Sequence, residues 1–250
     1  MDFIRKPVSH KNNEPIASLQ EAYQSVSREI APAVVMGNWA LRLSVFDNAS
    51  WDTGSIEIAL ARKPKPGSLK PLIRQGYKPQ EYEEHEDGSE RHVLLKPEKG
   101  YSIPVTMVYD KSGSFYTYGI PTSAMFYNSI DMDVPKVRIA GKKVMLSYEL
   151  LAARSARIES NSSAEKEHTY AAYRLLGGLY NLDVNEFMFD LGQIPRSTQG
   201  AFYDLISLGA MKQQGRSKAS WPDKLSLAII AEEAQRLHSL LRGSQVSGRA

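Results

Sequence analysis

The residues best suited to chemistry lie in two adjacent segments of opposite charge. Residues 62 to 78, RKPKPGSLKPLIRQGYK, carry Arg62, Lys63, Lys65, Lys70, Arg74 and Lys78 and no acid. Residues 81 to 90, EYEEHEDGSE, carry Glu81, Glu83, Glu84, Glu86, Asp87 and Glu90 and neither Lys nor Arg. Prolines 64, 66, 71 and 79 fix φ and remove backbone donors, so the basic stretch is expected to be an extended arm between strands. Such an arm suits phosphate backbones, where each cationic contact releases condensed counterions, and Tyr77 is placed to stack on a base. The acidic run, with Glu83, Glu84 and Glu86, would pair with the basic arm of a second copy.

Two further basic groups extend this reading. Lys136 and Arg138 alternate onto one face of a strand, with Lys142 and Lys143 at the following turn and Arg154 and Arg157 beyond. Lys212, Arg216, Lys218 and Lys224 surround a linker-like segment at 213 to 220. Anion binding must come from such patches, because the whole chain carries a formal charge of only +3. The aromatics Phe115, Tyr116, Tyr118, Phe126 and Tyr127 read either as strand packing or as a platform for bases.

Conventional catalytic kits are sparse. Asp131-Met132-Asp133 matches the short DxD pattern that holds Mg or Mn in many nucleotide-sugar transferases, and Asp110 is a third candidate oxygen ligand. No G-x-S-x-G elbow occurs, and Gly141-Lys142-Lys143 lacks the rest of a P-loop. His10, His168 and His238 fall in a tail or on expected helices. The chain has no cysteine, which removes thiolate metal sites, disulfides and Cys nucleophiles and suits a reducing compartment. His85 and His92 sit within a charged hairpin that protects a sheet edge better than it holds a metal. No cofactor is implied.

The elements that must position these residues follow from periodicity. Ile16, Leu19, Tyr23, Val26 and Ile30 form one stripe of an amphipathic helix over 14 to 31, closed by Pro32. From about residue 37 the period becomes 2: Leu41, Leu43 and Val45 alternate with Arg42, Ser44 and Phe46, and after a turn Ile56, Ile58 and Leu60 alternate with Glu57 and Ala59. Strands at 79–86 and 89–96 flank Asp87-Gly88; SIPVTMVYD and SFYTYGI flank Lys111-Ser112-Gly113; PKVRIA and KVMLSY flank Gly141. The expected fold is therefore α+β. A tail and helix occupy 1–36, and an antiparallel sheet, barrel or sandwich fills about 37–148, with the charged insertion at 62–90. A helical region at 149–243 precedes a disordered tail at 244–250. Ser162-x-x-Glu165 is a capping box that opens a helix, Ser197 or Thr198 caps another, and Ser220 opens the longest. No apolar run approaches the roughly 20 residues of a membrane span, and no secretory signal is seen.

This layout is broadly similar to virus-encoded matrix, coat and movement proteins. Leu43-Ser44-Val45-Phe46-Asp47 resembles the hydrophobic strand ending at an aspartate in plant-virus movement proteins with a β-barrel core, a likeness of five residues on which no family is claimed. The expectation is a non-enzymatic, intracellular, cytoplasmic assembly protein, virion-associated if viral. Its expected partners are further copies of itself and RNA or DNA, before an anionic membrane surface. The alternatives are a metal-dependent transferase or nuclease using Asp131 and Asp133, and a protein-interaction module.

Overall fold

The computed structural model describes residues 14–45, 54–98, 101–113, 115, 120–126, 129–180 and Arg236. The amphipathic stripe makes α1 (Glu14–Glu29), whose Leu19, Ala22 and Val26 are fully buried. Pro32 then ends the helical run, and the next four apolar residues form β1 (Ala33–Met36), buried at every position. A strand with no polar alternation must be covered on both faces, and β1 lies within the sheet. It pairs antiparallel with β2 (Ile56–Leu60) and parallel with β7 (Val137–Ile139).

The full sheet has seven strands in the order β3-β4-β5-β2-β1-β7-β6, with β3 (Lys78–Glu84), β4 (Glu90–Glu98), β5 (Tyr101–Tyr109) and β6 (Ile130–Met132) completing it. It is open and mixed: β2 also runs parallel to β5. The expected purely antiparallel sheet, closed as a barrel or stacked as a sandwich, is thus corrected. Turn residues identify local hairpins. They carry no information on which strands, distant in sequence, lie side by side, and both parallel pairings are of that kind.

Two expected strands are helices. Residues 41–45 belong largely to α2 (Gly37–Ser44), where Trp39, Ala40 and Leu41 are buried. The place beside β2 that they were expected to fill is taken by β1. KVMLSY opens α5 (Lys142–Ile158), which buries Val144, Met145 and Leu146. Short apolar runs satisfy both periods, and here packing decides. The basic stretch is not uniformly extended either: Lys70–Arg74 form the short helix α3, with Leu72 fully buried. The Asp87-Gly88 hairpin forms as expected, with Gly88 at φ +79. Pro79 sits on the edge strand β3 at a register shift, where a missing donor is tolerated.

Helix α1 packs on β1, β2, β7 and α3. Helix α2 packs on β1, β2, α5 and α6 (Ser162–Tyr180), and α4 (Thr122–Met125) packs on β2 and α5. α5 and α6 form a helical hairpin whose turn includes Ser160 at φ 57. The helix start expected at Ser162 is found. The capping oxygen belongs to the preceding residue: Asn161 Oδ1 accepts the Ala164 N–H at 3.2 Å. Glu165 instead accepts from Arg236 at 2.7 Å and pairs with Arg157 at 3.7 Å. The helices expected from 197 and 220 and the tail at 244–250 lie outside the described residues. No described helix is long and apolar enough to cross a membrane.

Candidate functional site

The charge flip is compensated in part within one chain. Lys63 Nζ lies 2.8 Å from Glu84 and 2.9 Å from Glu90, and these hydrogen bonds raise its pKa. Arg91 reaches Glu83 at 2.9 Å and Glu81 at 3.1 Å. Tyr82, donating to Glu84 at 2.8 Å, has its hydroxyl pushed up to about 12. Asp87 accepts from Ser112 Oγ at 2.7 Å and from the Ser89 N–H at 2.8 Å, which lowers it to about 2. The hairpin is thus held by Arg91, Tyr82 and Ser89 of its own and by Lys63 and Ser112 from neighbouring segments. Tyr77 is 2% exposed and sits in the core, so it offers no stacking face.

The remaining candidates are spread out. Arg62, Lys65, Lys70, Arg74, Lys78 and Glu86 are exposed around the β2–β3 connection and its hairpin. Lys136 and Arg138 lie at the β6–β7 end of the sheet, opposite the β3 edge. Phe115 is buried edge-on against His85, with ring centroids 4.2 Å apart. Tyr116, Tyr118, Tyr127, Lys212, Arg216, Lys218 and Lys224 lie outside the described residues.

The DxD pattern does not form a metal centre. Asp131 is taken by Arg138 in a bidentate pair, Nε to Oδ1 at 2.8 Å and Nη2 to Oδ2 at 2.9 Å, which lowers the carboxyl pKa. Asp110 is 1% exposed and belongs to a different structure. Its Oδ1 accepts from Ser89 Oγ, Ser112 N–H and Gly113 N–H, and its Oδ2 from Phe115 N–H. Among the described residues no three His, Asp or Glu side chains gather to hold a metal ion. Asp131→Asn is therefore expected to leave the melting temperature nearly unchanged and to alter no response to Mg or Mn, measured by thermal shift. A cation-dependent stabilisation lost in that variant would restore the DxD reading.

A different constellation forms where β1 and β7 end. Because these parallel neighbours are in register at Val35 and Ile139, both chains leave the sheet at the same end, one strand spacing apart (about 4.8 Å). Each turns at a glycine into a helix. Gly37, at φ +63, starts α2, and Gly141 precedes α5, whose first residues are Lys142 and Lys143. Neither cap residue supplies a side-chain hydrogen bond to its helix. Two helix N-termini, with their partial positive charge, are thereby set side by side next to two lysines.

A carboxylate completes the arrangement. Glu57 pairs with Met36 on one side and Thr106 on the other, in register. Its Oε2 would lie 1.9 Å from a Cβ on Gly37, so the carboxylate occupies the space a side chain there would need. Ser55 Oγ donates to Glu57 Oε1 at 3.4 Å. Elsewhere, between α6 and α5, His168 Nδ1 lies 2.8 Å from Glu149 Oε2. Glu149 is 2% exposed, and burial raises its pKa against the opposing hydrogen bond. Burial pulls His168 down. The hydrogen bond and charge of Glu149, with the charges of Glu167 and Glu57, outweigh it and raise His168 overall.

The sequence singled out Lys142 and Lys143 as candidate anion-binding residues on charge alone and did not single out Gly37 or Glu57. The available signal was Met36-Gly37-Asn38 after an apolar run, a strand–glycine–helix pattern. The alternation of Leu41, Leu43 and Val45 masked it.

The class defined by fold and site is an α+β protein with an open mixed sheet and a charged site at a sheet end. No family model matches the chain, and no curated protein matches it. Among solved structures, it is similar to the antibiotic-resistance factor ANT(2'')-Ia, with TM-score 0.47 and 10% identity over 82% of this chain and 98% of that one. It is also similar to an antigenic nucleotidyltransferase-like protein from Paracoccidioides brasiliensis, with TM-score 0.47 and 12% identity over 86% of this chain and 96% of that one. The expectation of a non-enzymatic viral assembly protein is not met by these likenesses, the second of which is to a nucleotidyltransferase-like protein, and it is withdrawn.

Proposed function

We propose that the protein is a transferase acting on a nucleotide or similarly phosphorylated donor at the β1/β7 end of the sheet. The observation that carries this reading is the placement of the Glu57 carboxylate directly over Gly37, at the start of α2 and beside the start of α5. In open sheets with helical connections, ligands settle outside the carboxyl ends of strands, and helix N-termini there receive phosphate. The two N-termini with Lys142 and Lys143 offset the negative charge of the donor, which is the main requirement of phosphoryl-type transfer.

Glu57 repels phosphate and so has a different task. It is placed to take the proton of an acceptor hydroxyl as that oxygen attacks phosphorus. The bond from phosphorus to the leaving phosphate breaks, and the leaving group departs as an anion toward the lysines. General-base assistance of this kind contributes roughly 10²–10⁴-fold.

The reading predicts substitutions of opposite sign. Calorimetric titration of the full chain with ATP should show binding that weakens at least tenfold in Lys142→Ala/Lys143→Ala. Glu57→Gln should bind ATP as well as or better than the parent, because a repelling charge is gone, while transferring it far more slowly. Equal affinity in all three proteins would contradict the reading.

A further inference from the structure

The connection between β2 and β3 presents cations that the fold does not use. Residues 62 to 78 carry no acid. Lys63 is held by Glu84 and Glu90, and Lys78 lies in β3. Arg62, Lys65, Lys70 and Arg74 are exposed, and among the described residues none of them is in an ion pair. The stretch that carries them is anchored rather than loose. Pro64 is buried, as are Leu72 at 0% and Tyr77 at 2% exposure. Between these anchors the backbone closes one turn after another. The Ser68 N–H donates to the Lys65 carbonyl at 2.9 Å and the Lys70 N–H to Gly67 at 3.1 Å. The Ile73 N–H donates to Leu69 and the Tyr77 N–H to Leu72, both at 3.1 Å. Lys70 and Arg74 stand at i and i+4 of α3, so they share a helix face about 6 Å apart along its axis. A cationic surface held this way loses little backbone freedom when a partner binds.

We propose that Arg62, Lys65, Lys70 and Arg74 form a docking strip for the phosphate backbone of a nucleic acid. The strip is separate from the transfer site: β2 runs antiparallel to β1 with Leu60 beside Ala33, so the chain enters the strip at the end of the sheet opposite Gly37. Charge complementarity selects the partner. Each phosphate contact by Lys or Arg releases condensed counterions, so a few free cations suffice on a chain of low net charge. The acidic hairpin of a second copy is a poorer partner, because its Glu84 and Glu90 already pair with Lys63 and its Glu81 and Glu83 with Arg91. A lipid surface is also poorer. The one large apolar side chain exposed within the strip is Ile73, at 45%, whereas an interfacial helix needs a broad apolar face. Contacts to phosphate carry no base information, so the strip binds without regard to sequence.

The test is fluorescence anisotropy of a labelled single-stranded oligothymidylate, titrated with the full chain at a series of salt concentrations. The logarithm of the binding constant should fall linearly with the logarithm of salt, with a slope of about −3 for four phosphate contacts on a single strand. Each of Lys65→Gln, Lys70→Gln and Arg74→Gln should reduce that slope by about 0.7, and the fourfold glutamine variant that adds Arg62→Gln should lose about tenfold or more in affinity at low salt. Lys70→Arg keeps the charge and should keep the slope. These side chains are exposed, so the melting temperature should stay unchanged, and the single variants give the answer even where the fourfold variant folds poorly. Lys142→Ala/Lys143→Ala, at the transfer site, should bind the strand as the parent does; loss there with the strip variants unaffected would overturn the assignment. No binding at the lowest salt, or a slope that survives the fourfold variant, overturns it as well. So would tighter binding to vesicles of phosphatidylserine and phosphatidylcholine, which assigns the strip to a lipid surface. A dimer seen by light scattering that salt and the fourfold variant both abolish would assign it to a second copy and overturn the inference too. None of these results depends on whether ATP binds at the β1/β7 end.

Discussion

Replacing Gly37 by alanine should destabilise the fold and disable the site together. The position has φ +63, which costs a residue with a side chain roughly 1–2 kcal/mol. The new methyl group would also meet Glu57 Oε2, 1.9 Å away, and Cδ, 2.9 Å away. Glu57 can swing aside because the conflict falls at the end of its side chain, so folding survives while the carboxylate leaves its place. The expected result is a stability loss of about 2 kcal/mol by chemical denaturation and loss of transferase activity comparable to Glu57→Gln. Repeating the substitution on a Glu57→Ala background separates the two causes. The steric part should vanish and the backbone part remain, giving a coupling of about 0.5–3 kcal/mol between contacting residues. Strict additivity would show that Glu57 does not sit over Gly37.

The second large effect belongs to Asp110. Its carboxylate, 1% exposed, accepts hydrogen bonds from Ser89, Ser112, Gly113 and Phe115 and so joins the β3–β4 turn to the chain following β5. Alanine would leave several buried donors without an acceptor, each costing about 1–3 kcal/mol where it cannot reach water. We expect Asp110→Ala to lose about 3 kcal/mol or more. Asp110→Asn should lose less, because its carbonyl still accepts on one side. Thermal and denaturant unfolding would measure both. A loss below 1 kcal/mol in the alanine variant would contradict the role of Asp110 as the centre of this turn.

The local parts of this structure were readable from the residues. The stripe Leu19, Val26 and Ile30 specifies α1 because helical spacing and Pro32 act within one segment. Asp87-Gly88 specifies its hairpin because only a residue tolerant of positive φ fits Gly88. Residues 41–45 were misread because an apolar run of that length fits a strand or a helix. The decision came from β1, which takes the place beside β2 that the run was expected to fill. The same holds for KVMLSY, which turns helical after Gly141, two residues past the end of β7 at Ile139.

The site was hidden for a related reason. Glu57 reads as one polar residue in an alternating strand, and it meets Gly37 only through the Met36–Glu57 register. Lys142 and Lys143 approach that glycine only through the parallel pairing of Val35 with Ile139. The charge flip at 62–90 attracted attention because it is local. Much of its acidic charge is spent locally: Glu84 and Glu90 on Lys63, and Glu81 and Glu83 on Arg91, just beyond the segment. Composition shows where charge is concentrated, while pairing in space decides how much of it remains for a partner.

The most direct measurement of the central claim is amide hydrogen exchange of the full chain with and without ATP. Our account predicts protection concentrated at Gly37 and Asn38, around Glu57, and at Gly141 to Lys143, the amides at the starts of α2 and α5. Protection confined to the 62–90 segment, or no change at the two helix starts, would contradict it.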